Sequence, residues 1–142
     1  TDLFLGHPLE MINIWVPITN CFDSNSISYT DLLTSREFYK KSNCDFYEFY
    51  KNYYDQNSNF YEDLKSNLQT FNAEYGEFMF FDSKCLHGTS ENISNITRIS
   101  IDFRIIPVEE FSKFQINYRG TGRKKMEMKP GEYYGLKTID KL

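Results

Sequence analysis

The chain has 142 residues and a net charge of −4, enough length for one domain with its own core. The acidic balance excludes the broad basic face of a nucleic-acid-binding domain, and no apolar run reaches the roughly eighteen residues that span a membrane. Cys21, Cys44 and Cys85 are irregularly spaced with no CxxC pair, which points to reduced thiols and a cytoplasmic setting.

Taken in order, Glu10 to Ile18 alternates strictly, with Ile12, Ile14, Val16 and Ile18 on one face and Met11, Asn13, Trp15 and Pro17 on the other. Period two with β-branched residues predicts a strand, and Pro17 predicts either its end or an edge position. A shorter strand is expected over Asn25 to Thr30. Ser35 to Phe71 reads as a helical insertion with irregular breaks. Phe60, Leu64, Leu68 and Phe71 recur there as one helical stripe, and Phe38, Phe46, Phe49, Tyr50 and Tyr53 are packing candidates. Tyr75-Gly76 turns the chain into GEFMFFDS, apolar on both faces and expected to be a buried strand.

Thr97 to Ile106 alternates again, with Ile99, Ile101, Phe103 and Ile105 opposite Arg98, Ser100, Asp102 and Arg104. Pro107 ends it, a short helix is expected over VEEFSKF, and the remainder shows no firm period. The basic cluster Arg119, Arg123, Lys124 and Lys125 lies in this C-terminal tail, 119–142, and reads as solvated. Asn92 and Asn95 match the glycosylation pattern, a match common by chance in an Asn- and Ser-rich chain. Strands flanking a helical insertion, with further strands after it, predict a mainly-β single domain with flanking helices, as in a sandwich or jelly roll.

Two groups carry candidate chemistry. Arg98 and Ser100 share a strand face and could clamp one end of a dicarboxylate, although a solvent-facing strand carries the same pattern. His87, at the end of the apolar strand, could ligate a divalent metal or be held by backbone. Arg104 could join a pocket or pair with Asp102.

Together, a strand-end His, an Arg eleven residues on (98 − 87) and a Ser two further resemble the distal half of the iron(II)/2-oxoglutarate oxygenase motif. That family holds iron on a facial triad of two His and one carboxylate, with the carboxylate in an upstream HxD pair. Thr1-Asp2 looks like the last two letters of HTD, cut one residue after the His. The run GHP through MINIWVPIT, with HG…N…TRISIDFR, is similar to phytanoyl-CoA-hydroxylase-like oxygenases, especially the small ones of carbohydrate and streptomycin-type biosynthesis.

This resemblance spans Asp2 to Pro107, with a weaker likeness at PGEYY. It implies a cupin-like double-stranded β-helix whose N-terminal strands are missing, making the chain the C-terminal portion of the jelly roll. Asp2 and His87 would be iron ligands, Arg98 with Ser100 would bind the far carboxylate of 2-oxoglutarate, and Asn13 and Trp15 would line the pocket.

The implied activity is dioxygenase chemistry, using Fe(II), 2-oxoglutarate and O2 on a small polar metabolite such as a sugar or nucleotide-sugar. Without the first His, little turnover is expected. His7 with Glu10 does not fit the family's spacing, so His7 is expected near the substrate entrance or on the surface. The rival reading is a non-catalytic jelly-roll module that binds a sugar or a protein through Trp15 and the many Tyr. A metal-dependent cupin isomerase would share the fold but leaves Arg98 and Ser100 without a role.

Overall fold

The computed structural model describes residues 2–5, 7–107, 109 and 110. The C-terminal helix expected in VEEFSKF beyond Glu110, the basic cluster and the PGEYY segment lie outside the described residues.

Among the described residues, six strands form two antiparallel three-stranded sheets with helices packed beside them. Strands with flanking helices are present as expected, but the arrangement is mixed α/β rather than mainly β, and no closed barrel forms among the described residues. The first sheet runs β4–β1–β6, where β1 is Ile12–Pro17, β4 Met79–Asp82 and β6 Ser100–Ile105. Pro17 ends a central strand rather than marking an edge. The second sheet runs β3–β2–β5, where β2 is Ile27–Tyr29, β3 Gln69–Phe71 and β5 His87–Gly88.

Alternation along β1 divides the first sheet into two unlike faces. Met11, Asn13, Trp15 and Pro17 are buried. Trp15 packs with Cys21, Ile27, Ala73, Phe81 and Cys85 in one of two core clusters. The opposite face aligns Ile14 between Phe80 and Phe103, and Val16 beside Ile101. It stays open: Phe80 is 58% exposed and Phe103 49%. The expectation that GEFMFFDS is buried on both sides is therefore corrected. Phe81 faces the core, whereas Phe78 and Phe80 lie on the open face.

The insertion folds as α2 (Leu32–Lys41), α3 (Phe46–Tyr54) and α4 (Phe60–Ser66), following the short opening helix α1 (Asp2–Leu5). Asp31 caps α2 by accepting from the Thr34 amide, and Asp45 caps α3 by accepting from the amides of Tyr47 and Glu48. Between α2 and α3 the chain turns through positive φ at Asn43 and Cys44 (51° and 54°), which breaks the helical path.

Phe60 and Leu64 form the buried stripe of α4, but α4 ends at Ser66. Leu68 is partly exposed and Phe71 belongs to β3, so the expected four-residue stripe spans a helix and a strand. Phe4, Phe38, Tyr39, Phe60, Leu64 and Leu86 make the second core cluster, flanked by Phe46, Phe49 and Tyr53.

Two consequences are testable. Trp15→Ala should lower unfolding free energy by about 3–5 kcal/mol in urea denaturation, the usual range for emptying a buried aromatic site. Ile101→Ala, on the open face, should cost less than about 1 kcal/mol. The three cysteines are unpaired; Cys44 is exposed, whereas Cys21 and Cys85 are buried and burial pushes the Cys85 thiol up. Cys44 should therefore be the first thiol labelled by a disulfide reagent at pH 8, with the other two modified only on unfolding.

Candidate metal centre

Four elements meet at the carboxylate of Asp2. The residue lies in α1, which is held down by Phe4 packing against Tyr39, Phe46 and Phe49 at ring separations of 5.3–5.6 Å. Its side chain is 1% exposed. Beneath it, Asn13 of β1 stands directly between Phe81 of β4 and Arg104 of β6. Residues opposite one another in antiparallel strands share a face, so this register turns all three side chains the same way.

Asn13 Nδ2 donates to Asp2 Oδ2 at 2.6 Å. Arg104 donates through Nε and Nη2 to Oδ1, at 3.1 and 3.0 Å. Burial pushes the Asp2 carboxyl up, but the Asn13 hydrogen bond, His87 and the Arg104 guanidinium outweigh it and hold the pKa below the ordinary value.

His87 arrives from the other sheet. It pairs with Tyr29 across β5 and β2. The preceding residue is fixed at both ends: Thr30 N donates to Leu86 O at 2.9 Å, and Leu86 N donates to Ser35 Oγ at 2.8 Å. The imidazole rests edge-on against Phe81 at 4.8 Å. Its Nδ1 lies 2.8 Å from the carbonyl oxygen of Cys85. A carbonyl only accepts, so Nδ1 carries the proton. Burial pulls the His87 pKa below its ordinary value, which favours the neutral ring.

In the neutral ring Nε2 is a lone pair, and it lies 3.4 Å from Asp2 Oδ2; in the protonated ring the same contact is an ion pair. The neutral imidazole and the carboxylate are two acceptors that a cation, whether a proton or a metal ion, must bridge. Two ligands of one metal ion, each about 2.1 Å from it, stand roughly 3.0–3.4 Å apart. The donor chemistry and the spacing thus suit a divalent first-row ion. Asn13 Oδ1, buried with no hydrogen-bond partner, is a further unanswered acceptor on the same residue that steadies Asp2. Among the described residues, however, no group of three or more His, Cys, Asp or Glu is arranged to hold a metal. Asp2 and His87 form a pair, not a complete set.

Of the sequence candidates, the fold brings together Asp2, His87 and Asn13. Asn13 is a positioning residue for the carboxylate. Arg98 stands elsewhere: its Nη1 donates to the carbonyls of Asn25 and Ser26 at 3.3 and 3.0 Å. Ser100 sits opposite Pro17, four residues from Arg104 or roughly 13 Å along the strand. Arg98 lines a depression with Thr89 and Ser90, and those two residues also line the cavity that reaches His87, so the two hollows adjoin.

Trp15 is core and offers no open platform. His7 is buried at 3% exposure rather than lying on the surface, with Nε2 3.8 Å from Asp2 Oδ1. Burial lowers its pKa as well. Arg104, expected either to join a pocket or to pair with Asp102, instead pairs with Asp2. Its signal in the sequence was a cation on the polar face of an alternating strand.

No protein-family model, curated protein or solved structure matches the chain.

The Arg104–Asp2 pair carries a direct prediction. Arg104→Gln leaves a buried anion without its cation and should cost about 3 kcal/mol in urea denaturation. Asp2→Asn combined with Arg104→Gln should cost clearly less than the sum of the two single changes. Strict additivity would show that the two charges do not depend on one another.

Proposed function

We infer that the chain carries the metal- and co-substrate-binding half of an iron(II)/2-oxoglutarate-dependent oxygenase, on part of a jelly-roll scaffold. The observation that carries this reading is His87 Nε2 brought within 3.4 Å of the Asp2 carboxylate across 85 residues of sequence (87 − 2), with Nδ1 already engaged by the Cys85 carbonyl. Asp2 and His87 would hold the ion, and Asn13 would keep the carboxylate oriented. Bound Fe(II) with 2-oxoglutarate and O2 would supply oxidative decarboxylation to succinate and carbon dioxide, coupled to oxidation of a substrate C–H bond.

The chain's own residues do the placing. Arg98 would bind the far carboxylate of 2-oxoglutarate with Ser100 assisting. A guanidinium has five N–H donors, and the two carbonyl contacts described engage Nη1 alone. The shared wall at Thr89 and Ser90 supports a co-substrate running between Arg98 and His87. The hydrogen bond from His87 Nδ1 to the Cys85 carbonyl fixes the tautomer of the neutral ring, so that Nε2 is the nitrogen available for ligation.

A second reading is favoured by one observation: Arg104 already balances Asp2 through two hydrogen bonds. In it, the Asp2–Arg104 pair is structural and the domain is a non-catalytic binding module.

Metal uptake separates the two readings. Titration with Co(II), followed by its visible absorption, should show binding that weakens at least about tenfold in Asp2→Ala and in His87→Ala. A variant with one His added ahead of Thr1 should bind more than about tenfold tighter and release succinate from 2-oxoglutarate in the presence of Fe(II). Arg98→Ala in that variant should raise the 2-oxoglutarate concentration needed for half-maximal release. Co(II) uptake indifferent to both alanine changes would sink the oxygenase reading and leave the binding module.

A further inference from the structure

The cavity that ends at His87 has a composition that selects what enters it. Its volume is about 330 Å³, near the lower limit for small-molecule sites, so it suits a compact ligand rather than a long chain. One wall is a single face of α3: Phe46, Phe49, Tyr50 and Tyr53 recur at i, i+3, i+4 and i+7. Leu64 and Leu86 complete the apolar side, and Ser28, Thr89 and Ser90 place neutral hydroxyls near the His87 end. Among the described residues lining the cavity there is no Lys, Arg, Asp or Glu.

The rings already meet one another at angles that aromatic guests also adopt. Phe46 and Tyr50 lie tilted at 5.9 Å, and Phe49 and Tyr53 are stacked at 6.5 Å. Tyr50, 53% exposed, stands at the accessible side of this wall.

We propose that this cavity is the substrate pocket of the oxygenase site and takes a neutral aromatic small molecule of one or two rings bearing a hydroxyl. The proposal rests on the oxygenase reading only for the word substrate; the binding preference follows from the cavity itself. It differs from the nucleotide-sugar that the resemblance implies, whose diphosphate would need cationic partners that the described lining does not offer. It also gives the helical insertion a role: α3 is the wall against which the ring stacks. The apolar body lies along α3 and α4, and the hydroxyl meets Ser28, Thr89 or Ser90, which leaves ring carbons beside His87.

The test uses the full chain and 4-phenylphenol as the probe, observed by saturation-transfer NMR without metal, with 4-phenylphenyl phosphate as the charged counterpart. The neutral probe should bind saturably and the phosphate at least tenfold more weakly. Gly88→Leu should abolish binding, because Gly88 lines the cavity and a Cβ there meets nothing within 4 Å. Tyr50→Ala, at an exposed position, should weaken binding about tenfold with unchanged circular dichroism. Equal or tighter binding of the phosphate, or probe binding untouched by both variants, overturns the proposal. Mn(II) should then broaden the resonances of the bound probe. Probe binding with this preference in a chain that takes up no Co(II) would defeat the oxygenase reading while the aromatic site stood.

Discussion

A carboxylate almost wholly removed from water has to be answered by charge and hydrogen bonds, and around Asp2 this requirement organises the molecule. Desolvating an ion costs several kcal/mol even after relaxation. Arg104 supplies the balancing charge with a two-pronged contact, and Asn13 supplies a donor to the other oxygen. Arg104 could not reach Asp2 unless β6 paired with β1 in the register that sets it opposite Asn13. A slip of one residue would turn Arg104 to the open face and leave the anion unbalanced. The electrostatic demand and the strand register therefore specify one another.

The same carboxylate faces an imidazole whose position is fixed independently of it. His87 is oriented by a backbone carbonyl, packed against Phe81 and tethered through Leu86 to Ser35, so it cannot easily rotate away. When its ring is neutral, a side chain held this firmly turns a lone pair toward an anion, a local conflict between acceptors of the kind that folds retain at functional sites. Arg104 limits that conflict by neutralising Oδ1, which leaves Oδ2 as the oxygen turned toward the imidazole.

Much of this was legible along the chain, and what was hidden has a common cause. Alternation located β1 and β6 because period two is a local property. Asp2 and His87 came from a motif likeness, and their convergence is what the fold adds. Arg104 could not be assigned because its partner lies 102 residues away and register is not written in either strand alone. The stripe Phe60, Leu64, Leu68, Phe71 overran α4 because apolar spacing continues past Asn67, where the helix stops and the chain becomes strand. GEFMFFDS misled in another way: apolar residues on both faces normally mean burial on both, yet here one face is open.

That open face bears on the site. Sheets usually turn apolar residues inward and polar ones to solvent, but the first sheet places Asn13 and Arg104 inward while Ile14, Phe80, Ile101 and Phe103 line the outside. Reversing the sheet would bury those four side chains but would expose Met11, Trp15 and Phe81. Only the observed orientation brings Asn13 and Arg104 to Asp2 and sets Phe81 under His87. Two polar side chains set into an otherwise apolar inward face are accounted for by the carboxylate they hold in place.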